Sequence, residues 1–402
     1  SSGRQGFMRP ETAQGMFTSF PALYRHFRER LPFGAMQVGK GYRNEISPRQ
    51  GMIRLREFNM AELEYFIDPN QTPEHDFSSW AAIEFRLLDG EGNVHTMALD
   101  QAVTSNLIRH PTVGFFMGRT YDFLVGIGVD PSRLRFRQHA ADEMAHYASD
   151  CWDVEIDGSY GWIECVGIAH RGCYDLEAHE KATGKSLRAR REFIEPKIVE
   201  IDGWTIEGGA AGPAFRADAG QVKAIVESFE AEVQFPVDVT LSDGRSLTVK
   251  PEHVKRVQKT VKETGEWFIP HVVEPAFGID RILWHVLDHA YEETEKGGEP
   301  YRMLKLSNSI APIDVAILPL FEKDGMDKLA YELHQRCCQK AGLVSLYDGS
   351  GSIGKRYARA DEVGIPMCVT IDHQSLEDRT VTVRNRDDAT QTRLSVDDLP
   401  FF

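Results

Sequence analysis

Charged and aromatic residues cluster within residues 37–66 of this 402-residue chain, and three of them, Arg54, Phe58 and Glu62, recur at intervals of four. The set consists of Arg43, Glu45, Arg54, Phe58 and Glu62. The planar fork of an arginine side chain matches the oxygens of a phosphate group. Phe58 offers a flat face to a base, and Glu45 offers an acceptor for an exocyclic amine. These residue types therefore favour a nucleotide site.

Two apolar runs flank a polar loop at residues 46–51, which contains a proline and a glycine. Runs joined in this way predict two antiparallel strands connected as an oversized hairpin. A solvated, charged hairpin without a ligand is the plainer alternative. However, arginines and carboxylates in this number are poorly suited to a core.

The order of these residues resembles the second signature of class II aminoacyl-tRNA synthetases. That signature runs aromatic-Arg-x-Glu, a loop, then Arg-x-x-x-Phe-x-x-x-Glu, as the chain does from Tyr42 to Glu62. The resemblance implies ATP binding, with Arg43 as a catalytic residue on the α-phosphate and with Glu45 and Phe58 fixing the adenine. It also implies an α+β class II catalytic domain, an antiparallel sheet flanked by helices with insertions, and a C-terminal α/β anticodon-binding domain.

Residues 271–287 form a second match to the same family. An apolar run leads to Glu274, and Gly278 and Asp280 then precede Arg281 at the start of an apolar helix. This resembles the third class II signature, which implies that Arg281 is catalytic and binds the adenine face or the terminal phosphate of ATP. A glycine at position 278 lets the backbone approach the nucleotide. The alternative is an ordinary helix start in which Asp280 compensates the helix dipole.

The sequence RPETAQG, at residues 9–15, resembles the glycyl-tRNA synthetase branch of the family in its archaeal and eukaryotic form. The resemblance implies that Glu11 lies near the amino acid or the adenylate. Pro10 and Glu11 are also ordinary residues for the start of a helix, and this is the competing interpretation.

A glycine pocket must bind an ammonium group and exclude larger side chains. The family uses carboxylates for the first task, and Glu62 and Glu274 match their positions. Ala276 stands where the family has a serine. Loss of that hydroxyl removes a hydrogen bond to the substrate, a change of about 0.5–1.5 kcal/mol. Weaker activity on glycine, a changed substrate and no effect all stay open.

A strand-like segment over residues 160–176 places Glu164 among apolar neighbours. A buried lone carboxylate is costly unless it is paired or binds a cation. The family has a Mg²⁺-binding carboxylate on this strand, so the resemblance implies that Glu164 is the Mg²⁺ ligand and that Arg171 contacts ATP. A buried ion pair between Glu164 and Arg171 is the alternative.

The composition, 42% hydrophobic and 27% charged with no long apolar run, is typical of a soluble globular protein with two or three domains. The formal net charge is −15, yet residues 1–67 carry ten Lys or Arg against six Asp or Glu. Net charge therefore does not exclude RNA, which binds local basic tracks. The six cysteines form no C-x-x-C pair and no signal peptide is visible, which favours reduced thiols and a cytoplasmic location.

Changes in pattern along the chain predict three parts. The class II catalytic domain spans residues 1–179 and 262–309 and contains an insertion over 68–130. The charged, turn-rich stretch 180–261 predicts a small α+β insertion, which by its position in the family faces the tRNA acceptor stem. Alternating strands and helices over 310–402 predict the separate anticodon-binding domain.

Glycines in the C-terminal part spell G-x-G-x-x-G at positions 349, 351 and 354. Such a pattern after a strand also occurs in dinucleotide-binding sites. A domain of about ninety residues offers only half of a dinucleotide fold, and the segment more specifically resembles the anticodon-binding domain of class IIa synthetases. The residues that would then contact the tRNA anticodon are Lys355, Arg356 and Arg359.

The resemblance covers nearly the whole chain. It implies ATP- and Mg²⁺-dependent ligation of glycine to tRNA(Gly) through a glycyl-adenylate, in a homodimer with no membrane or DNA partner. A synthetase-like RNA- or ligand-binding protein without aminoacylation activity is the main alternative, and a nucleotide-binding metabolic enzyme would rest on the glycine pattern alone. No first class II signature precedes Ser1, so we expect a fragment of a longer protein or a form that has lost this dimerisation element.

Overall fold

The computed structural model describes residues 6–140, 142–143, 149–339 and 342–399. The chain forms two compact units, one made of Ser1–Leu187 with Pro270–Phe402 and the other of Arg188–Ile269. The second unit begins and ends a few residues later than the insertion expected over 180–261. No helix in the described part of the chain is both long and apolar enough to cross a lipid bilayer.

The first unit begins with a mixture of helices and strands that leads into one large sheet. These elements are α1 (Ala13–Thr18), α2 (Phe20–His26), β1 (Phe33–Tyr42), β2 (Glu57–Ile67), β3 (Phe85–Leu88), β4 (Val94–Met97), α3 (Leu99–Thr104), α4 (Pro111–Gly126), β5 (Leu134–Gln138), β6 (Asp150–Gly158), β7 (Gly161–Gly172) and α5 (Tyr174–Thr183). The second unit contains β8 (Ala189–Ile206), α6 (Gly208–Phe215), α7 (Ala219–Glu227), β9 (Val237–Thr240), β10 (Ser246–Val249) and β11 (Val254–Phe268).

The chain then returns to the first unit for the rest of its described length. Its elements there are β12 (His271–Gly278), α8 (Ile279–Ala290), β13 (Tyr291–Lys296), β14 (Glu299–Leu304), β15 (Val315–Pro319), α9 (Met326–Gln339), β16 (Ser345–Tyr347), α10 (Ile353–Val363), β17 (Met367–Ile371), α11 (His373–Asp378), β18 (Thr380–Asn385) and β19 (Gln391–Ser395).

Eight strands form the main sheet in the order β1-β2-β12-β7-β6-β5-β3-β4. All its neighbouring strands run antiparallel except β3 and β5. The predicted antiparallel class II sheet is therefore confirmed. Residues 68–130, interpreted from sequence as an insertion, supply β3 and β4 at one edge of this sheet. They also supply α4, whose Met117 packs in the same buried cluster as Phe136 and Trp152.

The predicted hairpin is formed by β1 and β2, which pair from Phe33 opposite Phe66 to Tyr42 opposite Glu57. Burial alternates along the second half of β2, where Met60, Glu62, Glu64 and Phe66 are buried and the residues between them are half-buried. Every second residue of a strand points to the same face. Two carboxylates therefore lie on the buried face of a strand, where apolar residues are the norm.

The C-terminal part has its own five-stranded sheet in the order β16-β15-β17-β18-β19. β15 is buried throughout, because Val315 and Ile317 pack with α9 while Ala316 and Leu318 pack with α10. Helices on both faces of partly parallel strands match the α/β pattern predicted for this part.

The second unit contains a long antiparallel ribbon, in which β11 pairs with β8 from Val254 opposite Ile206 to Phe268 opposite Ala189. A shorter hairpin of β9 and β10 completes its strands. A small apolar core that includes Phe215, Val226 and Val239 holds α6 and α7 on these strands. The second unit is therefore a small α+β arrangement.

Candidate active site

One cavity of about 370 Å³ opens on the face of the main sheet that carries Glu62. It brings together every residue expected at the ATP, metal and amino-acid sites. These are Glu11, Arg43, Glu45, Phe58, Glu62, Glu164, Arg171, Glu274, Ala276 and Arg281.

Strand register explains why residues so far apart in sequence meet in this cavity. Ala276 on β12 lies opposite Glu62 of β2 on one side and opposite Gly167 of β7 on the other. Directly opposed residues in antiparallel strands project from the same face. The floor of the cavity therefore consists of the Glu62 carboxylate beside Ala276 and Gly167, which are the two smallest types of residue.

The end of the cavity nearest the hairpin loop carries the residues expected to bind ATP. Arg43 is exposed, and its guanidinium carbon lies 5.4 Å from the centroid of the Phe58 ring. The ring rests on Gly41, where an added Cβ would come within 2.8 Å of two of its carbons. A glycine is thus required opposite Phe58, and Glu45 lies half-buried nearby, where its Oε1 accepts a hydrogen bond from the Ser47 amide at 3.2 Å.

Arg281 is held at the start of α8 by two backbone carbonyls. Its Nη1 donates to Glu164 O at 2.7 Å and its Nε to Ile53 O at 3.2 Å. Asp280 fixes the same helix start on β2, because its carboxylate accepts hydrogen bonds from the Asn59 amide at 2.6 Å and from Asn59 Nδ2 at 3.0 Å. The interpretation of Asp280 as a residue that only compensates the helix dipole is therefore incomplete.

Glu164 is less enclosed than the sequence predicts. Its side chain is 54% exposed, and its Oε2 lies 3.7 Å from Arg281 Nη1. Partial burial in the cavity wall, and then the Asp153 carboxylate, raise the pKa of Glu164. Because more than half of the side chain still reaches solvent, we expect this effect to be weak. The carboxylate is open to a ligand.

The position of Arg171 corrects a prediction made from the sequence. Its side chain is only 8% exposed, and its guanidinium donates to both oxygens of Asp175, at 2.8 and 3.0 Å, and to Glu274 Oε2 at 2.8 Å. The guanidinium is thus enclosed by carboxylates and pairs with Asp175 and Glu274 and not with Glu164, so its first partners are protein groups and not a phosphate. Arg171 instead balances the charge of the acids at the amino-acid end of the cavity.

Glu62 holds the segment that precedes α1. Its Oε2 accepts hydrogen bonds from the Thr12 amide at 2.6 Å, from Thr12 Oγ1 at 2.6 Å and from the Ala13 amide at 2.8 Å. The first amides of a helix have no partner within the helix, and a carboxylate is their strongest acceptor. Glu62 thereby places Glu11 at the cavity, where the resemblance predicts it, through hydrogen bonds to Thr12 and Ala13 that the sequence alone did not indicate.

Three further residues of this end were missed in the sequence. Gln14 donates from Nε2 to Glu11 Oε1 at 2.7 Å and to Asp175 Oδ1 at 3.2 Å. His179 Nε2 lies 2.6 Å from Gln14 Oε1. Asp175 follows Arg171 by four residues, a spacing that could have indicated their pairing. A continuous network thus links α5 to the carboxylates of the cavity.

Glu64 is a fourth missed residue. It is fully buried on the same face of β2 as Glu62. Burial, and then the neighbouring Glu274 carboxylate, hold the pKa of Glu64 well above its usual range. Burial also raises the pKa of Glu274, and Arg171 partly offsets the increase. The sequence did contain one signal for Glu64. It follows Glu62 by two residues, and this spacing on a strand puts both side chains on the same face.

The C-terminal glycine loop corrects a second prediction. Arg356 is 2% exposed, and its guanidinium donates to the backbone carbonyls of Pro319, Asp348, Leu320 and Gly351. It therefore holds the loop together from inside and is not available as an RNA contact. The other two predicted residues are exposed: Lys355, and Arg359, whose Nη2 lies 2.5 Å from Asp348 Oδ2.

Packing accounts for two of the three glycines in this loop. A Cβ at Gly349 would collide with the carboxylate of Glu322, and Gly351 has a φ of +78°, which favours glycine. A carboxylate above the first glycine is poorly suited to a pyrophosphate. The arrangement argues against a dinucleotide site here.

Two protein-family models match the chain, one over the part with the eight-stranded sheet and one over the part with the five-stranded sheet. Residues 2–290 match the tRNA synthetase class II core domain of the G, H, P, S and T type. Residues 314–401 match the anticodon binding domain. The core-domain match includes the second unit, and the two matches together leave out residues 291–313, which contain β13 and β14.

Curated relatives match over almost the entire chain. A glycine–tRNA ligase of Archaeoglobus fulgidus is 44% identical over 99% of this chain and 70% of its own length. A glycine–tRNA ligase of Methanocaldococcus jannaschii is 43% identical over 98% of this chain and 71% of its own length. A solved prolyl-tRNA synthetase of Cryptosporidium parvum has a similar fold, with a TM-score of 0.51 at 13% identity over 99% of this chain and 61% of its own.

Proposed function

This chain belongs to the glycine–tRNA ligases, a family of class II tRNA synthetases, and we propose that its cavity forms glycyl-adenylate from glycine and ATP. One observation carries this proposal. Two partly exposed arginines, Arg43 and Arg281, line the same 370 Å³ cavity as a cluster of carboxylates. An anionic nucleotide and a cationic ammonium group require these opposite charges.

At the nucleotide end, we propose that Arg43 binds the α-phosphate and that Arg281 binds the departing pyrophosphate. Phe58 stacks on the adenine and Glu45 accepts a hydrogen bond from its amine. The carboxylate oxygen of glycine attacks the α-phosphorus, and the bond from phosphorus to the bridging oxygen breaks. The protein forms no covalent bond itself, so positioning and charge stabilisation supply the catalysis.

The Glu164 side chain suits Mg²⁺, because it is an exposed carboxylate at the nucleotide end. Mg²⁺ prefers oxygen ligands and is commonly held by one or two carboxylates together with substrate phosphates. No group of three or more metal-binding side chains occurs in the described ranges, which fits an ion that depends on ATP for its other ligands. When bound, Mg²⁺ neutralises charge on the phosphates.

At the amino-acid end, we propose that Glu11, Glu62 and Glu274 surround the ammonium group of glycine. Ala276 and Gly167 form the adjacent floor. After activation, the terminal ribose hydroxyl of the tRNA attacks the glycyl carbonyl and AMP leaves. Lys355 and Arg359 remain our proposed contacts for the anticodon, since both are exposed beside the glycine loop. We further propose a cytoplasmic homodimer.

The decisive experiment is ATP–pyrophosphate exchange with glycine, alanine or serine as the amino acid. We expect exchange with glycine and a strong loss in Arg43→Ala. Arg25→Ala is the matched control, because Arg25 is exposed on α2 outside the cavity. A folded protein that exchanges with none of the three amino acids would contradict the proposed function, and RNA binding alone would then be the remaining activity to measure.

A further inference from the structure

Glu64 is buried beneath the amino-acid end of the cavity and has no place in the mechanism above. Its relative exposure is 0%, and within the described ranges neither of its carboxyl oxygens accepts a hydrogen bond from a donor group. An ionised carboxylate in that position would have lost its water without gaining a donor. This is among the most costly arrangements in a folded protein.

Strand register places Glu64 next to one proposed glycine ligand. The pairs Tyr65–Val273 and Glu62–Ala276 between β2 and β12 leave Glu64 and Glu274 facing each other. Opposed residues in antiparallel strands have Cβ atoms about 4.5–5.5 Å apart. Two negative charges at this spacing repel, whereas a carboxylic acid and a carboxylate form a strong hydrogen bond.

The charges around this pair also favour one proton. Glu62 and Glu274 add negative charge next to Glu64, and Arg171 supplies a positive charge. Arg171 is already shared between Glu274 and Asp175. The β1 residue opposite Glu64 is the uncharged Ala35. One guanidinium therefore faces more carboxylates than it can neutralise.

We propose that Glu64 is a carboxylic acid that donates its proton in a hydrogen bond to Glu274, and that it thereby positions the carboxylate that binds the ammonium group of glycine. This inference rests on the proposed function. Glu274 is then held by Arg171 at one oxygen and by the Glu64 hydroxyl. Glycine has no side chain that could improve its own alignment, so a fixed carboxylate does more for it than for a larger amino acid.

Two substitutions at Glu64 separate the hydrogen bond from the charge. Glu64→Met has a similar length and cannot donate, so we expect KM for glycine to rise about 10- to 100-fold, as for loss of a hydrogen bond to a charged group, with KM for ATP unchanged. Glu64→Gln keeps a neutral donor, so it should recover most of this loss. Glu57→Gln is the control, because Glu57 lies on the same strand with a side chain that is 52% exposed.

The pH dependence of stability tests the proton without any activity measurement. The unfolded chain releases this proton above a pKa of about 4.3, while the folded protein retains it. The unfolded state then binds fewer protons, so the free energy of unfolding falls as pH rises from about 4.3 toward the raised pKa of Glu64. Glu64→Gln removes this contribution, whereas Glu11, Glu62, Glu274 and Arg171 are common to both proteins.

The proposal is supported if Glu64→Gln recovers glycine affinity and if its stability falls less with rising pH than that of the wild type. It is overturned if Gln and Met weaken glycine binding equally, which would mean that Glu64 acts as an anion, or if the two stability curves stay parallel. If Glu64→Met does not fold, the comparison of wild type with Glu64→Gln still decides. Absence of glycine-dependent exchange in the wild type would contradict the proposed function and leave the stability test intact.

Discussion

The two ends of the cavity are built in opposite ways. At the nucleotide end, the side chains of Arg281 and Glu164 are 36% and 54% exposed. At the amino-acid end, those of Arg171 and Glu274 are 8% and 11% exposed and joined by a hydrogen bond of 2.8 Å. One end thus offers accessible charges, and the other is an enclosed network in which carboxylates outnumber the one buried guanidinium.

The size and chemistry of the two ligands explain this difference. ATP brings several negative charges and a large flat base, so its binding can meet the cost of ordering exposed side chains, about 0.5–1.5 kcal/mol each. Glycine brings one ammonium group and no side chain. Its site must be organised beforehand, and carboxylates that are buried for this purpose need partners to remain ionised.

The largest effect on stability should appear when one arginine from each end of the cavity is replaced by methionine. Arg171→Met leaves Asp175 and Glu274 buried without their cation, and we expect it to lower the free energy of unfolding by about 3–5 kcal/mol. Arg281→Met, at the exposed end, removes two hydrogen bonds to backbone carbonyls and should cost less, about 0.5–1.5 kcal/mol. Urea denaturation of both variants checks this, and equal losses would remove the distinction between the two ends.

A second prediction concerns catalysis at the nucleotide end. Arg43→Ala removes a charge that we place on the α-phosphate, and exchange with glycine should fall by about 10²–10³-fold. Since Arg43 is exposed, the thermal unfolding midpoint of the Arg43→Ala variant should match that of the wild type. A variant that loses stability together with activity would show that this end is also pre-organised.

Glu62→Gln probes the connection between the amino-acid end and α1. The amide oxygen of glutamine accepts more weakly than a carboxylate, and three donors from Thr12 and Ala13 meet at this atom. We expect a loss of about 1.5–3 kcal/mol in the free energy of unfolding and an increase in KM for glycine but not for ATP. Denaturant titration and steady-state exchange measure the two effects, and a higher KM for ATP alone would contradict the assignment of Glu62.

The smallest effect is expected at the floor of the amino-acid end. Ala276→Ser restores the hydroxyl of the family pattern and should tighten glycine binding by about 0.5–1.5 kcal/mol, the value of one hydrogen bond. Exchange with alanine should weaken in parallel, because the added oxygen takes up space beside Gly167. Titrations with glycine and alanine on both proteins test this, and unchanged values would mean that position 276 does not determine specificity.

The residues of the cavity were predictable to the extent that they belong to short, local patterns. Arg43, Phe58 and Glu62 keep their spacing within one hairpin, and strand geometry then turns spacing into position. Arg281 follows the same logic at the junction of a strand and a helix. Such patterns predict which residues point into a shared space, and the register of β2, β12 and β7 brings them together as expected.

The partners of these residues were not predictable in the same way. Arg171 and Arg356 looked like phosphate or RNA contacts, because an arginine in a sequence does not reveal whether water or protein surrounds it. In the fold, carboxylates enclose the first and backbone carbonyls enclose the second. Glu64 went unnoticed for the same reason, since its burial depends on the strands that flank β2, namely β1 and β12.

By itself, the sequence determined the family, the two sheets and the residues that line the cavity, because each follows from spacing within one or two neighbouring elements. Only the tertiary structure decided which charges are accessible and which are paired. The burial of a side chain depends on all the elements packed around it. The interaction energy between two charges changes severalfold between water and the protein interior. The roles of Arg171 and Glu64 therefore became visible only in the folded chain.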